Sequence, residues 1–140
     1  MSKTRRSRQR DGQTPPTNSS PDDPVTAWAK LVDSGAIIAG PHIRNAAKRH
    51  LRDLTEAPKR GFEWNRDAAA RPVRFFETVL RLNGGQFEGL PFKPHPSQVF
   101  IVGSLFGWLR SDGTRRFRRA YIEAAKGIGK SPMLAGVGRL

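Results

Sequence analysis

The chain has 140 residues, which limits it to at most one domain with one hydrophobic core. Its formal net charge of +13 favours a polyanionic partner, most simply nucleic acid, although a basic surface alone or a fragment lacking its acidic remainder would give the same balance. The absence of cysteine excludes disulfides and thiolate metal sites, and no apolar run reaches the about 18 residues of a membrane span. With no apolar secretory signal at the start, we expect a cytoplasmic protein.

Residues 1–24 are predicted to be a disordered basic tail and linker. The basic residues at its start are Lys3, Arg5, Arg6, Arg8 and Arg10. A linker rich in Pro, Ser, Asp and Thr follows, and neither half can bury enough apolar surface to offset the entropy of ordering. Such a tail either contacts nucleic-acid phosphates without sequence preference or is a solvated end that improves solubility.

Residues 25–94 are predicted to form a helical segment. A helix starts at Pro41, and the spacing of its apolar residues and one histidine defines one face. These residues are Ile43, Ala47, His50, Leu51 and Leu54. Neither His42 nor His50 has the spacing or the acidic neighbours of a metal site, so we expect His50 to be packed or hydrogen-bonded.

A second helix is predicted after a break at residues 57–61. Asn65 is a suitable N-cap, with Asp67 in the first turn. The apolar stripe comprises Ala69, Val73, Phe76 and Leu80. Pro72 lies inside this stripe, so the helix either kinks there or starts there, and residues 83–85 are predicted to end it.

Residues 95–140 are predicted to begin a nucleotide-binding domain. Pro96 can open a helix that extends to Leu109; because this helix is apolar on nearly every side, we expect it to be buried. A turn at residues 111–114 then leads into a predicted strand, Phe117–Glu123.

The strand is predicted to enter a phosphate-binding loop that ends in Gly129-Lys130-Ser131, with an apolar helix from Met133 behind it. In such a loop, backbone N–H groups and the helix N-terminus face anionic phosphates. Lys130 would reach the β- and γ-phosphates, and the Ser131 hydroxyl would hold Mg²⁺. The usual pattern is G-x-x-x-x-G-K-[ST], and Ala124 stands here at the first glycine. The predicted fold is therefore α/β, a helical lead followed by the start of a parallel-sheet P-loop domain.

Several stretches resemble the N-terminal part of the phage terminase large subunit, the ATP-driven motor that packages viral DNA into procapsids. They are residues 42–54, 75–77, 89–92, 98–108 and 120–131, within a similarity that covers roughly residues 39–140. The resemblance implies ATP and Mg²⁺ as cofactors and double-stranded DNA as the packaged partner, in the cytoplasm of the host cell. For the full-length family it also implies the portal protein and the small terminase subunit as partners, and no membrane.

The resemblance also implies roles for individual residues. Gln98 matches the glutamine that reads adenine, although Ser97 stands where the family usually has tryptophan. Lys126 matches the basic residue thought to touch the γ-phosphate, and Gly127 and Gly129 complete the nucleotide-binding set. Pro132 is a departure, because the N–H at this position normally donates to the α-phosphate and proline has none.

No catalytic residue is predicted. Phosphoryl transfer needs an Asp for Mg²⁺ and a Glu to activate water, and no Asp-Glu pair follows the loop. We therefore expect a motor ATPase truncated after its phosphate loop (the Walker A motif), without the nuclease part and inactive alone. Two alternatives remain open: a small basic DNA-binding accessory protein without ATPase activity, and an interaction fragment that pairs with a separately encoded remainder of the motor.

Overall fold

The structure is a computed structural model that describes residues 23–83 and 85–140. In this part of the chain there are five α-helices, two short β-strands and two 3-10 helices. The helices and strands are α1 (Pro24–Asp33), α2 (Pro41–Glu56), β1 (Phe62–Trp64), α3 (Arg66–Thr78), α4 (Pro96–Gly107), β2 (Trp108–Arg110) and α5 (Lys130–Val137). The 3-10 helices are Ala57–Arg60 and Gly85–Phe87. Among the described helices, none is both long and apolar enough to cross a membrane.

Helix α1 was not singled out by the sequence patterns. The predicted disordered tail lies outside the described residues except at its end, where Asp23 and Pro24 belong to the cap and first turn of this helix. The Asp23 carboxylate accepts hydrogen bonds from the backbone N–H groups of Val25 and Thr26, and Pro24 needs no such acceptor. The buried apolar residues of α1 are Val25, Trp28, Ala29 and Val32, which lie on one helical face.

Helix α4 contributes to two hydrophobic clusters. In the first, Phe100 packs with residues of α1, α2 and α3, and its ring lies 4.8 Å from that of Trp28. In the second, Val102 packs with Phe76 of α3 and Met133 of α5. The segments before and after residue 95 therefore share both clusters. The expected burial of α4 is found on two sides of the helix, at Phe100 and at Val102, while residues such as Ile101 remain partly exposed.

The predicted extension of α4 to Leu109 is wrong. The helix ends at Gly107, whose carbonyl accepts a hydrogen bond from the Asn65 N–H at 2.8 Å instead of continuing the helical ladder. The next three residues form β2, which pairs antiparallel with β1, and Glu63 lies opposite Leu109. The neighbouring β1 strand thus decides where α4 stops.

The start of α3 is confirmed and its predicted end is wrong. Asn65 caps the helix by accepting the Ala68 N–H at 2.8 Å, and Pro72 lies buried inside the helix rather than starting it. The helix ends at Thr78, several residues before the predicted glycine stop. The chain leaves the helix early because the Leu80 carbonyl does not accept a helical hydrogen bond. It accepts one from the Phe92 N–H instead, at 3.1 Å.

The predicted strand Phe117–Glu123 is not formed, and no parallel sheet occurs in the described residues. Residues 117–125 follow an irregular path after an isolated antiparallel bridge between Leu109 and Arg115. A strand is stabilised by hydrogen bonds to a neighbour, and the only described sheet, β1 with β2, lies outside this segment. The observed fold is a mixed one, mainly helical, with a small antiparallel two-stranded sheet.

Candidate phosphate-binding site

The loop before α5 has the backbone shape that the glycines permit. Gly127 and Gly129 have φ angles of 91° and 79°, in the left-handed region that other residues rarely adopt. Gly129 is the N-cap of α5, and Lys130 and Ser131 are the first two residues of the helix. The predicted order of turn and helix is therefore observed, although without a preceding strand.

Consecutive N–H groups are free at this turn. In the described part of the chain, the N–H groups of residues 129–131 make no hydrogen bond to backbone or side chain. Because they stand at the start of a helix, the partial positive charge of the helix N-terminus adds to theirs. This combination favours an anion.

The Lys130 side chain folds back over the loop. Its Nζ donates a hydrogen bond to the carbonyl oxygen of Ala124, the residue at the first-glycine position of the motif. The ammonium group therefore closes the loop on itself instead of extending into solvent.

One cleft collects nearly all the predicted site residues. It is lined by Lys126, Gly127, Gly129, Lys130, Ser131 and Pro132. Lys126 and Ser131 are exposed at this cleft. Of the predicted set, only Gln98 does not line it.

Gln98 instead contacts the loop from α4. Only 6% of its surface is exposed. Its Oε1 accepts the His95 N–H at 2.9 Å, which completes a capping box at the start of α4. Its Nε2 donates to the carbonyls of Ile128 at 2.9 Å and Gly129 at 3.5 Å. These hydrogen bonds would have to be exchanged before the side chain contacts a base.

The residues present fit a magnesium ion only as a companion of a bound phosphate. Within the described residues, no group of three or more His, Asp or Glu side chains is placed to hold a metal. The Ser131 hydroxyl makes no hydrogen bond there and is free to serve as one oxygen ligand. Phosphate oxygens and water would supply the others, as is usual for Mg²⁺.

A buried ion-pair cluster lies away from the cleft and was missed by sequence reasoning. Asp53 is 1% exposed, and its two oxygens accept hydrogen bonds from Arg60 and Arg116, each at 2.8 Å. Burial acts to raise the pKa of Asp53, but the hydrogen bond and charge of Arg116 and the charge of Arg60 outweigh it and hold the pKa below its usual value. The helical spacing could have predicted the burial of Asp53, since Asp53 follows His50 by three positions and therefore lies on the same buried face of α2.

His50 is packed and hydrogen-bonded, as predicted. Its Nδ1 accepts the indole N–H of Trp108 at 3.2 Å, which leaves the proton on Nε2, 3.1 Å from the Thr26 hydroxyl. That hydroxyl donates to Asp23, and Trp64 donates to the same carboxylate oxygen at 3.0 Å. Burial lowers the pKa of His50 to about 4, against the attraction of the nearby carboxylates. The imidazole is therefore neutral and part of the core.

The cleft lies within a segment of the chain that matches a known protein family. The family model that matches is described as "Terminase large subunit, ATPase domain", and it covers residues 96–138, from the start of α4 to the residue after α5. The match confirms the resemblance seen in the sequence: over this segment, the chain is related to terminase large subunits. Comparisons with curated proteins and with solved structures found no match.

Proposed function

We propose that the chain acts as part of a terminase large subunit, and that its loop at residues 124–131 binds the phosphates of ATP during the packaging of viral DNA into procapsids. The observation that carries this proposal is the run of unpaired N–H groups at the start of α5, in residues that line one cleft together with Lys126. The family match to an ATPase domain over the same residues supports it.

Three residues that line the cleft have specific roles in this proposal. When nucleotide binds, the Lys130 ammonium group gives up its hydrogen bond to the Ala124 carbonyl and donates to the β- and γ-phosphate oxygens. It does so because a charged acceptor makes the stronger hydrogen bond. The Ser131 hydroxyl holds Mg²⁺, and Lys126, exposed on the loop, approaches the γ-phosphate. The partners of the proposed motor are double-stranded DNA, the portal protein and the small terminase subunit, in the cytoplasm of the host cell.

We infer that this 140-residue polypeptide binds nucleotide without hydrolysing it. Hydrolysis needs one carboxylate for the metal and one to activate water. In the described part of the chain, neither an Asp nor a Glu lines the cleft, so neither of these carboxylates is present there.

The test is calorimetric titration of the purified chain with ATP and Mg²⁺, together with a phosphate-release assay. We expect saturable binding that Lys130→Ala weakens by at least tenfold, the factor for one charge-assisted hydrogen bond of about 1.5 kcal/mol or more. Lys93→Ala, which removes an exposed lysine outside the cleft, should leave binding unchanged. Phosphate release should not exceed that of Lys130→Ala. Equal affinities for the chain and Lys130→Ala would contradict nucleotide binding, and release above that control would contradict the inferred lack of hydrolysis.

A DNA-binding accessory protein without ATPase activity is the second candidate. The exposed side of α2 favours it, because Arg44 and Lys48 lie one turn apart there and form no ion pair in the described part of the chain. Each phosphate contact contributes about 0.9 to the slope of log affinity against log salt concentration. Two results together would favour this candidate. The unmodified chain would bind DNA but not ATP, and the Lys48→Ala variant would bind DNA with a salt slope smaller by about 0.9.

A further inference from the structure

The Gln98 amide makes hydrogen bonds with both of its ends. The oxygen accepts the His95 N–H, and the nitrogen donates to the carbonyls of Ile128 and Gly129. The side chain is buried, so these contacts are held within the protein and not shared with bulk water. A buried amide with both ends satisfied is costly to rearrange.

The two carbonyls are those that precede the free N–H groups. In a planar trans peptide, the C=O of one residue and the N–H of the next point in opposite directions. Because Gln98 holds the Ile128 carbonyl on its own side, the Gly129 N–H points away from Gln98. The Gly129 carbonyl accepts the Met133 N–H of α5 at 3.2 Å as well as the longer contact from Gln98, and it turns the Lys130 N–H away in the same manner. Both of these N–H groups are without an acceptor in the described residues.

The close approach also constrains Gly129. A Cβ atom at this position would lie 3.1 Å from the Gln98 Nε2, tighter than ordinary contact. The left-handed φ therefore favours glycine, and a larger residue would in addition displace the Gln98 amide by a few tenths of an ångström.

We propose that Gln98 is a positioning residue for the phosphate loop: by holding the Ile128 carbonyl, and by sharing the Gly129 carbonyl with the Met133 N–H, it orients two N–H groups toward the phosphates and raises affinity for them whatever base the ligand carries. This inference rests on the proposed nucleotide site and deepens it, since it assigns Gln98 to the phosphates and not to adenine.

A ligand without a base distinguishes a role of Gln98 at the phosphates from a role at adenine. Calorimetry of the 140-residue chain would compare ATP with inorganic tripolyphosphate, both with Mg²⁺. Gln98→Glu keeps the length of the side chain and an acceptor for the His95 N–H, but it cannot donate to the two carbonyls. We expect both ligands to lose affinity by the same factor, roughly tenfold, the effect of one ordinary hydrogen bond.

Gln98→Met is the second variant, because the methionine side chain is uncharged and similar in length to glutamine. We again expect equal losses of affinity for ATP and for tripolyphosphate. Ser97→Ala is the matched control, since the Ser97 side chain contacts only His95 and not the loop. Near-ultraviolet circular dichroism of the three tryptophans reports whether each variant is folded.

Three results would overturn the inference. Loss of affinity for ATP with tripolyphosphate binding unchanged would assign Gln98 to the base. Unchanged binding of both ligands by folded Gln98→Glu and Gln98→Met would show that the carbonyl contacts do not matter. Failure of the unmodified chain to bind either ligand would instead reject the nucleotide site itself, so the two failures are distinguishable.

Discussion

Asp53 and Arg116 stand 63 positions apart in the chain, and a 2.8 Å hydrogen bond joins them in the interior. The Arg116 guanidinium also lies over the rings of Phe62 and Trp108, at 4.7 and 5.4 Å from their centroids. The pair therefore attaches α2 to β1, β2 and the beginning of the irregular segment that leads to the phosphate loop. A buried charge of this kind is stable only while its partner is present.

Removal of the Asp53 charge should destabilise the fold strongly. In Asp53→Asn, Arg116 keeps its charge in a largely buried site without a counter-ion, and breaking such a pair costs about 3–5 kcal/mol. The free energy of unfolding from urea titration is the measurement. Glu56→Gln is the control, because Glu56 is exposed and its pair with Arg52 is worth less than about 0.5 kcal/mol. Similar small losses in both variants would argue against a structural role for the Asp53 cluster.

Stability should fall between pH 6.5 and pH 4 because of His50. The folded state lowers the pKa of His50 from 6.5 to about 4, so the folded chain binds fewer protons than the unfolded chain in this window. The stabilising contribution is complete above pH 6.5 and is lost as the pH falls through the window, by on the order of 3 kcal/mol. Asp23 and Asp53 also have lowered pKa values, but their contributions are lost only below the ordinary carboxylate range, near 3.8.

The measurement is urea unfolding at several pH values with His50→Gln as the comparison. This variant keeps a polar side chain but has no titrating group, so its stability should be nearly constant across the same window. A variant that shows the same pH dependence as the unmodified chain would mean that another group is responsible.

Pro132→Thr should tighten ATP binding. Pro132 is the third residue of α5 and lines the cleft, where it offers no N–H group. Threonine restores a donor for the α-phosphate, and a hydrogen bond to a charged group contributes about 1.5–3 kcal/mol. Ala135→Thr, on the exposed side of the same helix, controls for the change in helix propensity. Equal affinity of Pro132→Thr and the unmodified chain would count against the phosphate-loop geometry.

Gly136→Val should loosen α5 from the rest of the molecule. A Cβ at Gly136 would lie 2.5 Å from the Phe76 ring and 2.6 Å from Leu80, so the helix has to move away from α3. Overpacking of this kind costs about 1–3 kcal/mol, and we expect weaker ATP binding along with lower stability. Gly138→Val is the matched control, because a Cβ there meets only ordinary contacts at 3.5 Å or more. Thermal unfolding and calorimetry would show the difference, and identical behaviour of the two variants would refute the docking of α5 through Gly136.

The features that the sequence predicted well are those that depend only on residues close together in the chain. Asn65 caps α3 and Pro96 opens α4, because a cap or a fixed φ acts within a few positions. The left-handed turn of Gly127 and Gly129 ahead of Lys130 is local in the same way. The roles given to the cleft residues stay predictions, although the structure brings these residues together.

The predictions that were wrong concern elements that depend on a distant partner. Phe117–Glu123 has the composition of a strand but has no neighbouring strand in the described residues to pair with. Trp108–Arg110 continues an apolar run typical of a helix, yet it pairs with β1. In both cases the hydrogen bonds of the backbone, which must be satisfied, decided the conformation.

The sequence by itself determined the loop motif, the relation to terminase ATPase segments and the positions where most helices begin, since these depend on residue types at short spacing. Only the tertiary structure decided that Gln98 holds the phosphate loop from α4 and that Asp53 is buried between two arginines. The contacts of Gln98 with the loop and of Asp53 with Arg116 join residues about 30 or more positions apart, and they form only when packing of the apolar faces has brought the elements together.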